Sequence, residues 1–226
     1  RTDTHMFLYL PVRSNTGKIW LNNNLGADYA NLKSPAFNLA QQARSVTDSS
    51  AYGSYFQWGR KADGHELFNT RLYRLYSRND PNTIHYYASL SSGYNEWRAT
   101  TDHSLWSRED SPNNVCPVGW RVPTAAEFNE ELHSWGPVDY DYFQQQRYTQ
   151  YTSPLKLTFT GQKTYMNQTD GAWWWINHAG CYYTSTKLPD QYCMPSAAVL
   201  FVVTDQFSRM HYSNHAYGNA VRCIKN

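Results

Sequence analysis

Apolar residues come in short clusters separated by turn residues, a spacing that predicts many brief strands and few helices. Phe7-Leu8-Tyr9-Leu10 reads as an extended segment, and Asn15-Thr16-Gly17-Lys18 as a turn. Ile19-Trp20-Leu21 then resumes the strand pattern, which Gly26 closes. Two helices are expected. In the first, Ser34 caps and Pro35 takes the opening position, while Phe37/Ala40 and Leu39/Ala43 fall at helical spacing. In the second, Thr124 and Glu127 have the S/T-x-x-E spacing of a capping box, and each side chain can satisfy an orphan N–H of the other. Phe128 and Leu132 then share one face, Glu130 and Glu131 are expected to face water, and Gly136-Pro137 ends the helix. Beyond it the pattern is β-like at residues 155–159, 173–176, 182–184, 199–203 and 220–224. Strands, two helices and then many short strands make an α+β plan.

The 226 residues suit one large domain, expected over 1–226, with the polar, weakly patterned stretch 66–115 as a loop-rich insertion. Only 17% of residues are charged and the net charge is +2, so nothing here would hold a nucleic-acid backbone. Mean hydropathy is −0.72 although 41% of residues are hydrophobic. The gap comes from Trp 9, Tyr 19 and Phe 9, which bury large areas yet keep polar handles. Such a chain can build a core, which excludes the disordered class. The longest apolar run, residues 197–203, is too short to span about 30 Å of hydrocarbon. No signal-peptide pattern opens the chain, and the abrupt start at Arg1-Thr2-Asp3 is that expected of a processed or trimmed product.

The four cysteines, Cys116, Cys181, Cys193 and Cys223, form no C-x-x-C pair, which argues against a zinc knuckle or a thioredoxin-type site. An even number in a Tyr/Asn-rich, weakly charged chain fits an oxidising location, with three pairings open and four buried thiols as the alternative.

Four stretches together resemble the Fibrobacter-type major paralogous domain. Residues 17–27 carry a G-x-x-W-x-x-x-N-L-G-A pattern, and residues 52–65 are similar to Y-G-x-x-Y-x-W-G-R-x-x-D-G-H, with Phe56 at the second Tyr position. Cys116-Pro117-Val118-Gly119-Trp120-Arg121-Val122-Pro123-Thr124 is similar to its C-P-x-G-W-R-V-P-T, and residues 218–225 to its G-x-x-V-R-C-I-K. The resemblance implies a C-type-lectin-like fold of the formylglycine-generating-enzyme type. Relatives of that kind include bacterial surface lipoproteins, pilus-tip adhesins and the variable binding proteins that retroelements diversify in phages and bacteria. It also implies a bridge between Cys116 and Cys223, while Cys181 and Cys193 flank a loop that a second bridge could close. The chain departs from the usual G-Y-Y-W-S-S-T stretch, reading Gly180-Cys181-Tyr182-Tyr183-Thr184-Ser185-Thr186.

Between the last strands the chain reads Asp205-Gln206-Phe207-Ser208-Arg209-Met210-His211-Tyr212-Ser213-Asn214-His215-Ala216-Tyr217. Tyr, His, Asn, Ser and Arg offer rigid area with adaptable hydrogen bonding, as antibody paratopes do. The expected ligand-binding set is therefore Tyr182, Tyr183, Tyr192, Asp205, Phe207, Arg209, His211, Tyr212, Asn214, His215 and Tyr217. The expected partner is a cell-surface protein or glycan met outside the cell or on a virion, and a homo-oligomer stays open. No cofactor is expected. His211 and His215 have an H-x3-H spacing, but no Glu follows His211 and the segment reads as strand and loop, so it does not form a zinc site. The E-P-N, Q-P-D and W-N-D signatures of calcium-dependent sugar binding do not occur; Asp139, Asp141 and Asn79-Asp80 are acidic turns that leave a structural ion open. No hydrolase, phosphate-loop or dinucleotide fingerprint occurs, and the flanks of Cys181 and Cys193 do not mark reactive thiols. The reading is thus non-enzymatic. The alternatives are a structural secreted, lipoprotein or pilus-tip module without a variable site, and then a formylglycine-generating-type oxidase.

Overall fold

The structure, a computed structural model, describes residues 6–68, 72–73, 86–87, 96–98, 100–136, 149–164, 172–187, 197–204 and 208–226. The strands are β1 (Pro11–Arg13), β2 (Ile19–Leu21), β3 (Phe56–Gln57), β4 (Leu72–Tyr73), β5 (Tyr86–Tyr87), β6 (Trp120–Arg121), β7 (Gln162–Thr164), β8 (Ala172–Trp174), β9 (Ala179–Lys187), β10 (Ala197–Thr204), β11 (Ser208–Asn214), β12 (Gly218–Asn219) and β13 (Ile224–Lys225). The helices are α1 (Ala125–Ser134) and the single turn α2 (Thr149–Thr152). Short 3-10 turns lie at Asp28–Ala30 and Ser49–Ala51. The molecule is mixed α+β, made mostly of small antiparallel sheets. These are β1-β2-β13-β6, β3-β12-β7-β8 and β11-β10-β9, with a parallel pair β4-β5.

The second expected helix forms as its cap predicts. Glu127 N–H donates to Thr124 Oγ1 at 3.3 Å, and Thr124 N–H donates to Glu127 Oε2 at 2.8 Å. Arg121 clasps the same carboxylate from β6 at 2.9 and 2.6 Å, which ties helix to sheet. Phe128 and Leu132 point inward, and Phe128 stacks on Phe201 of β10 with ring centroids 4.8 Å apart. Glu131 does not face water: it is buried and accepts from the Ser14 and Thr16 hydroxyls.

The first expected helix is absent; residues 34–43 run as successive turns. Asparagines that follow β2 hold the segment in this course. Asn22 Nδ2 donates to Leu39 O at 2.8 Å, the carbonyl a helix would offer to Ala43 N–H, and Asn23 Nδ2 donates to Gln41 O at 2.7 Å. Asn24 donates to Ala51 O and Tyr52 O and accepts from Arg222 Nε at 2.9 Å. The segment fits only because two glycines meet there. A Cβ on Gly26 would collide with Ser54, and one on Gly53 with the Leu25 carbonyl; both have positive φ.

Residues 157–159 are buried but lie outside any ladder, just after a turn in which Lys156 is left-handed at φ 49°: Phe159 N–H donates to Val46 O at 2.7 Å and Thr158 N–H to Tyr182 Oη at 2.8 Å. Residues 7–10 likewise sit beside β1 rather than in it, with Leu8 N–H on Ala30 O and Leu10 N–H on Asn22 Oδ1. Within 66–115, the described stretch 100–115 is turn-rich, yet Trp97 and Trp106 are fully buried anchors of the core.

The β11-β10-β9 sheet separates two apolar clusters. Phe201 and Tyr182 join Trp20, Phe128 and Leu157 on one side; Tyr183 and Cys181 join Trp58, Trp106 and Val221 on the other. Cys116 and Cys223 are bridged, with Cα atoms 5.9 Å apart across a separation of 107 residues. Cys181 is a free, buried thiol and takes no part in a second bridge.

Candidate functional site

β11 is the outer strand of its three-stranded sheet, and alternation splits its side chains between two faces. Met210 lies opposite Phe201, which lies opposite Tyr182, so Met210 packs on the α1 side. His211 lies opposite Leu200, which lies opposite Tyr183, and so shares the other face with Arg209 and Ser213. Arg209 is exposed, Tyr212 is 45% exposed, and His211, Asn214 and Tyr217 are half-buried. Although they leave on opposite faces, the His211 and Tyr212 rings meet around the strand with centroids 4.8 Å apart. Tyr212 N–H donates to His211 Nδ1 at 2.8 Å, so the imidazole covers a backbone donor at the sheet edge.

Beneath this rim everything is locked. Ser213 Oγ accepts from Gln162 Nε2 at 2.8 Å and Asn219 Nδ2 at 3.2 Å, tying β11 to β7 and β12. Tyr183 Oη reaches Asn214 O at 2.6 Å and Tyr217 O at 3.1 Å, bracketing the turn that follows β11. Tyr183 is therefore a buried support rather than a surface anchor. The same holds for Tyr182, whose hydroxyl donates to Thr158 O at 2.8 Å. Burial raises the pKa of both phenols. His215 is also interior, stacked on Trp58 with centroids 4.3 Å apart and with Nδ1 2.8 Å from Glu96 Oε2. Tyr182 and Tyr183 fail as surface contacts because both sheet faces are covered, so successive residues of β9 each find a core, whereas His215, in the turn after β11, is held inward by Trp58 and Glu96. Tyr192, Cys193, Asp205, Phe207 and the acidic turns at 79–80 and 139–141 lie outside the described residues.

A second polar cluster, Asp63, His65 and Glu66, brings three ligand-type atoms within 4.8 Å of one another in the interior. Its geometry is that of a structural knot. Arg60 grips Asp63 Oδ2 through Nη2 at 2.9 Å and Nε at 3.0 Å. His65 Nδ1 lies 2.8 Å from Asp63 Oδ1, and Nε2 accepts from Gln57 N–H at 3.1 Å. Both ring nitrogens are engaged and no imidazole lone pair is left for an ion. Burial, with the Arg60 charge behind it, pushes His65 down to about 4. Burial works to raise Asp63, but the His65 hydrogen bond and the Arg60 charge outweigh it and hold the carboxyl below its ordinary value.

Two nucleophile-type groups are also interior. Burial pushes the Cys181 thiol up to about 12 and Lys163 down to about 8. A groove of about 470 Å³ lined by Ser107, Arg108, Glu109, Asp110, Arg121 and Asn226 holds charges already in use, with Arg108 on Asp110, Arg121 on Glu127, and Glu109 on Gly119 N–H and Asn226.

Sequence reasoning missed Trp175. It is 50% exposed at φ 59°, in a turn where Asn177 is also left-handed at φ 66°. Its carbonyl accepts from His178 N–H and Ala179 N–H, both at 2.8 Å. The aromatic run before it reads as strand, and only Asn177 signals the turn.

Comparison with known proteins adds no relative: no family model, no curated protein and no solved structure matches this chain.

Proposed function

We propose that this chain is a non-enzymatic binding module with a C-type-lectin-like fold, similar in kind to the Fibrobacter-type domains its motifs resemble. It offers the β11 rim to a cell-surface protein or glycan outside the cell or on a virion. One observation carries the reading: Arg209 and Tyr212 are open to solvent while Ser213, Tyr183 and His215 around them are buried and held. A rim of that kind can change its outward side chains without unfolding, as a protein diversified by a retroelement needs. The Cys116–Cys223 bridge is in keeping with an oxidising location. Cys181 speaks against the oxidase alternative, since a thiol pushed up to about 12 supplies no thiolate near neutral pH.

Burial of Tyr182, Tyr183 and His215 shrinks the outward set and favours, as second reading, a structural surface module with no variable site. Screening the chain against surface glycans and surface proteins separates the two. The first reading expects a ligand whose affinity drops at least tenfold in Arg209→Ala/Tyr212→Ala, with the unfolding midpoint unchanged. A ligand that binds both proteins equally well sinks the rim as the site.

A further inference from the structure

We propose that His215 and His103 form a binding site for a divalent transition-metal ion of the zinc class, with Glu96 as the supporting carboxylate. The site is independent of any partner at the β11 rim. Glu96 fixes the tautomer: its Oε1 accepts from Trp97 N–H at 2.9 Å and Arg98 N–H at 3.2 Å, and its Oε2 faces His215 Nδ1 at 2.8 Å. Because the carboxylate acts only as acceptor, the His215 proton sits on Nδ1 and the lone pair on Nε2. That Nε2 is buried and has no hydrogen-bond partner among the described residues, in a residue 1% exposed. A metal-binding histidine has this arrangement, with its far nitrogen held by a carboxylate.

The position of His103 completes the geometry. Its ring centroid is 5.8 Å from His215 and 6.1 Å from Trp58, and those two rings stack 4.3 Å apart. Near-equal distances to both members place His103 beside the stack, against ring edges, and not over the free face of His215. Glu96 takes the Nδ1 side of His215, and a ring beside the stack at this spacing is within reach of its Nε2 side. Two imidazoles on one ion at about 2.0–2.1 Å per bond have centroids about 5–6.5 Å apart, a range that includes the observed spacing. The half-buried His103 links the site to solvent, and water would fill the remaining positions. Imidazole ligands suit zinc, copper and nickel over calcium or magnesium. Bound there, the ion would clamp His103 onto the turn that follows β11.

The test is calorimetric titration of chelator-treated protein with Zn²⁺ alone, with Co²⁺ as a visible-spectrum probe. The expected result is one equivalent bound, weakened at least tenfold in His103→Ala and in Glu96→Gln, and unchanged in His211→Ala. His103→Ala should keep its circular dichroism and its unfolding midpoint in chelator, which separates ligand loss from misfolding. Failure of the wild type to bind one equivalent overturns the proposal. So does binding that survives His103→Ala, or a Co²⁺ spectrum without nitrogen ligation.

Discussion

His65 shows how a single buried residue sets the response to acid. Neutral in the folded state, it accepts from Gln57 N–H and bonds Asp63, so protonation would break the bond to β3 and place a second cation near Arg60. Its pKa falls from 6.5 to about 4 on folding, so between those values the unfolded chain binds the extra proton. Stability therefore rises with pH across that window, is complete above about 6.5, and is lower by about 3 kcal/mol once pH passes below 4. Asp63, held below its ordinary value, adds a loss of the same sign as pH falls further. Urea unfolding at pH 7, 6, 5 and 4 should show the decline, and His65→Gln should flatten it; an unchanged slope in that variant would assign the acid sensitivity elsewhere. Sequence reading quoted His65 only within a motif. Its role depends on Asp63 and on a β3 amide eight positions back, which chain order alone does not bring together.

Among elements, α1 and residues 34–43 both carried helix signals, the stronger at α1, and only α1 forms. The signals of α1 are answered within its own surroundings: Thr124 and Glu127 satisfy each other, and Arg121 reinforces the carboxylate. Glu127→Ala should cost about 1–2 kcal/mol, read as a lower unfolding midpoint with the same fold. In residues 34–43 the partners come from outside: Asn22 takes the Leu39 carbonyl that Ala43 N–H would use in a helix, and Asn23 holds the Gln41 carbonyl. At the rim, Tyr183 is the element-scale support, and Tyr183→Phe removes its hydrogen bonds to Asn214 and Tyr217. That change should cost about 1 kcal/mol and speed hydrogen exchange at the Tyr217 amide, whose acceptor is Asn214 O. Unaltered exchange there would show that the turn holds without its bracket.

Across the whole molecule, the two ends of the described chain meet in one sheet: β13 lies between β2 and β6, and the Cys116–Cys223 bridge runs alongside. Arg222 adds a buried junction, donating to Asn24, Leu21 and Leu155, with burial pushing it down to about 10. By loop closure the bridge contributes about 4–5 kcal/mol over its 107-residue span. Cys116→Ala/Cys223→Ala should therefore unfold at markedly lower denaturant, and reductant should lower the wild type to match while leaving the double variant unmoved. A reductant effect of equal size on both would mean that another bond matters.

The sequence by itself determined the α+β class, the β2 strand, the capped α1 helix and, through the motif resemblance, the expected bridge. Each of the first three rests on neighbours a few positions apart, where spacing and side-chain chemistry are already present. Tertiary structure alone decided that Tyr182, Tyr183 and His215 go inside, that Trp97 and Trp106 leave a polar stretch to anchor the core, and that residues 34–43 stay unwound. Those outcomes depend on what covers each face of a sheet and on which distant side chain reaches a carbonyl first. Such competitions are settled by packing, and periodicity along the chain does not record them.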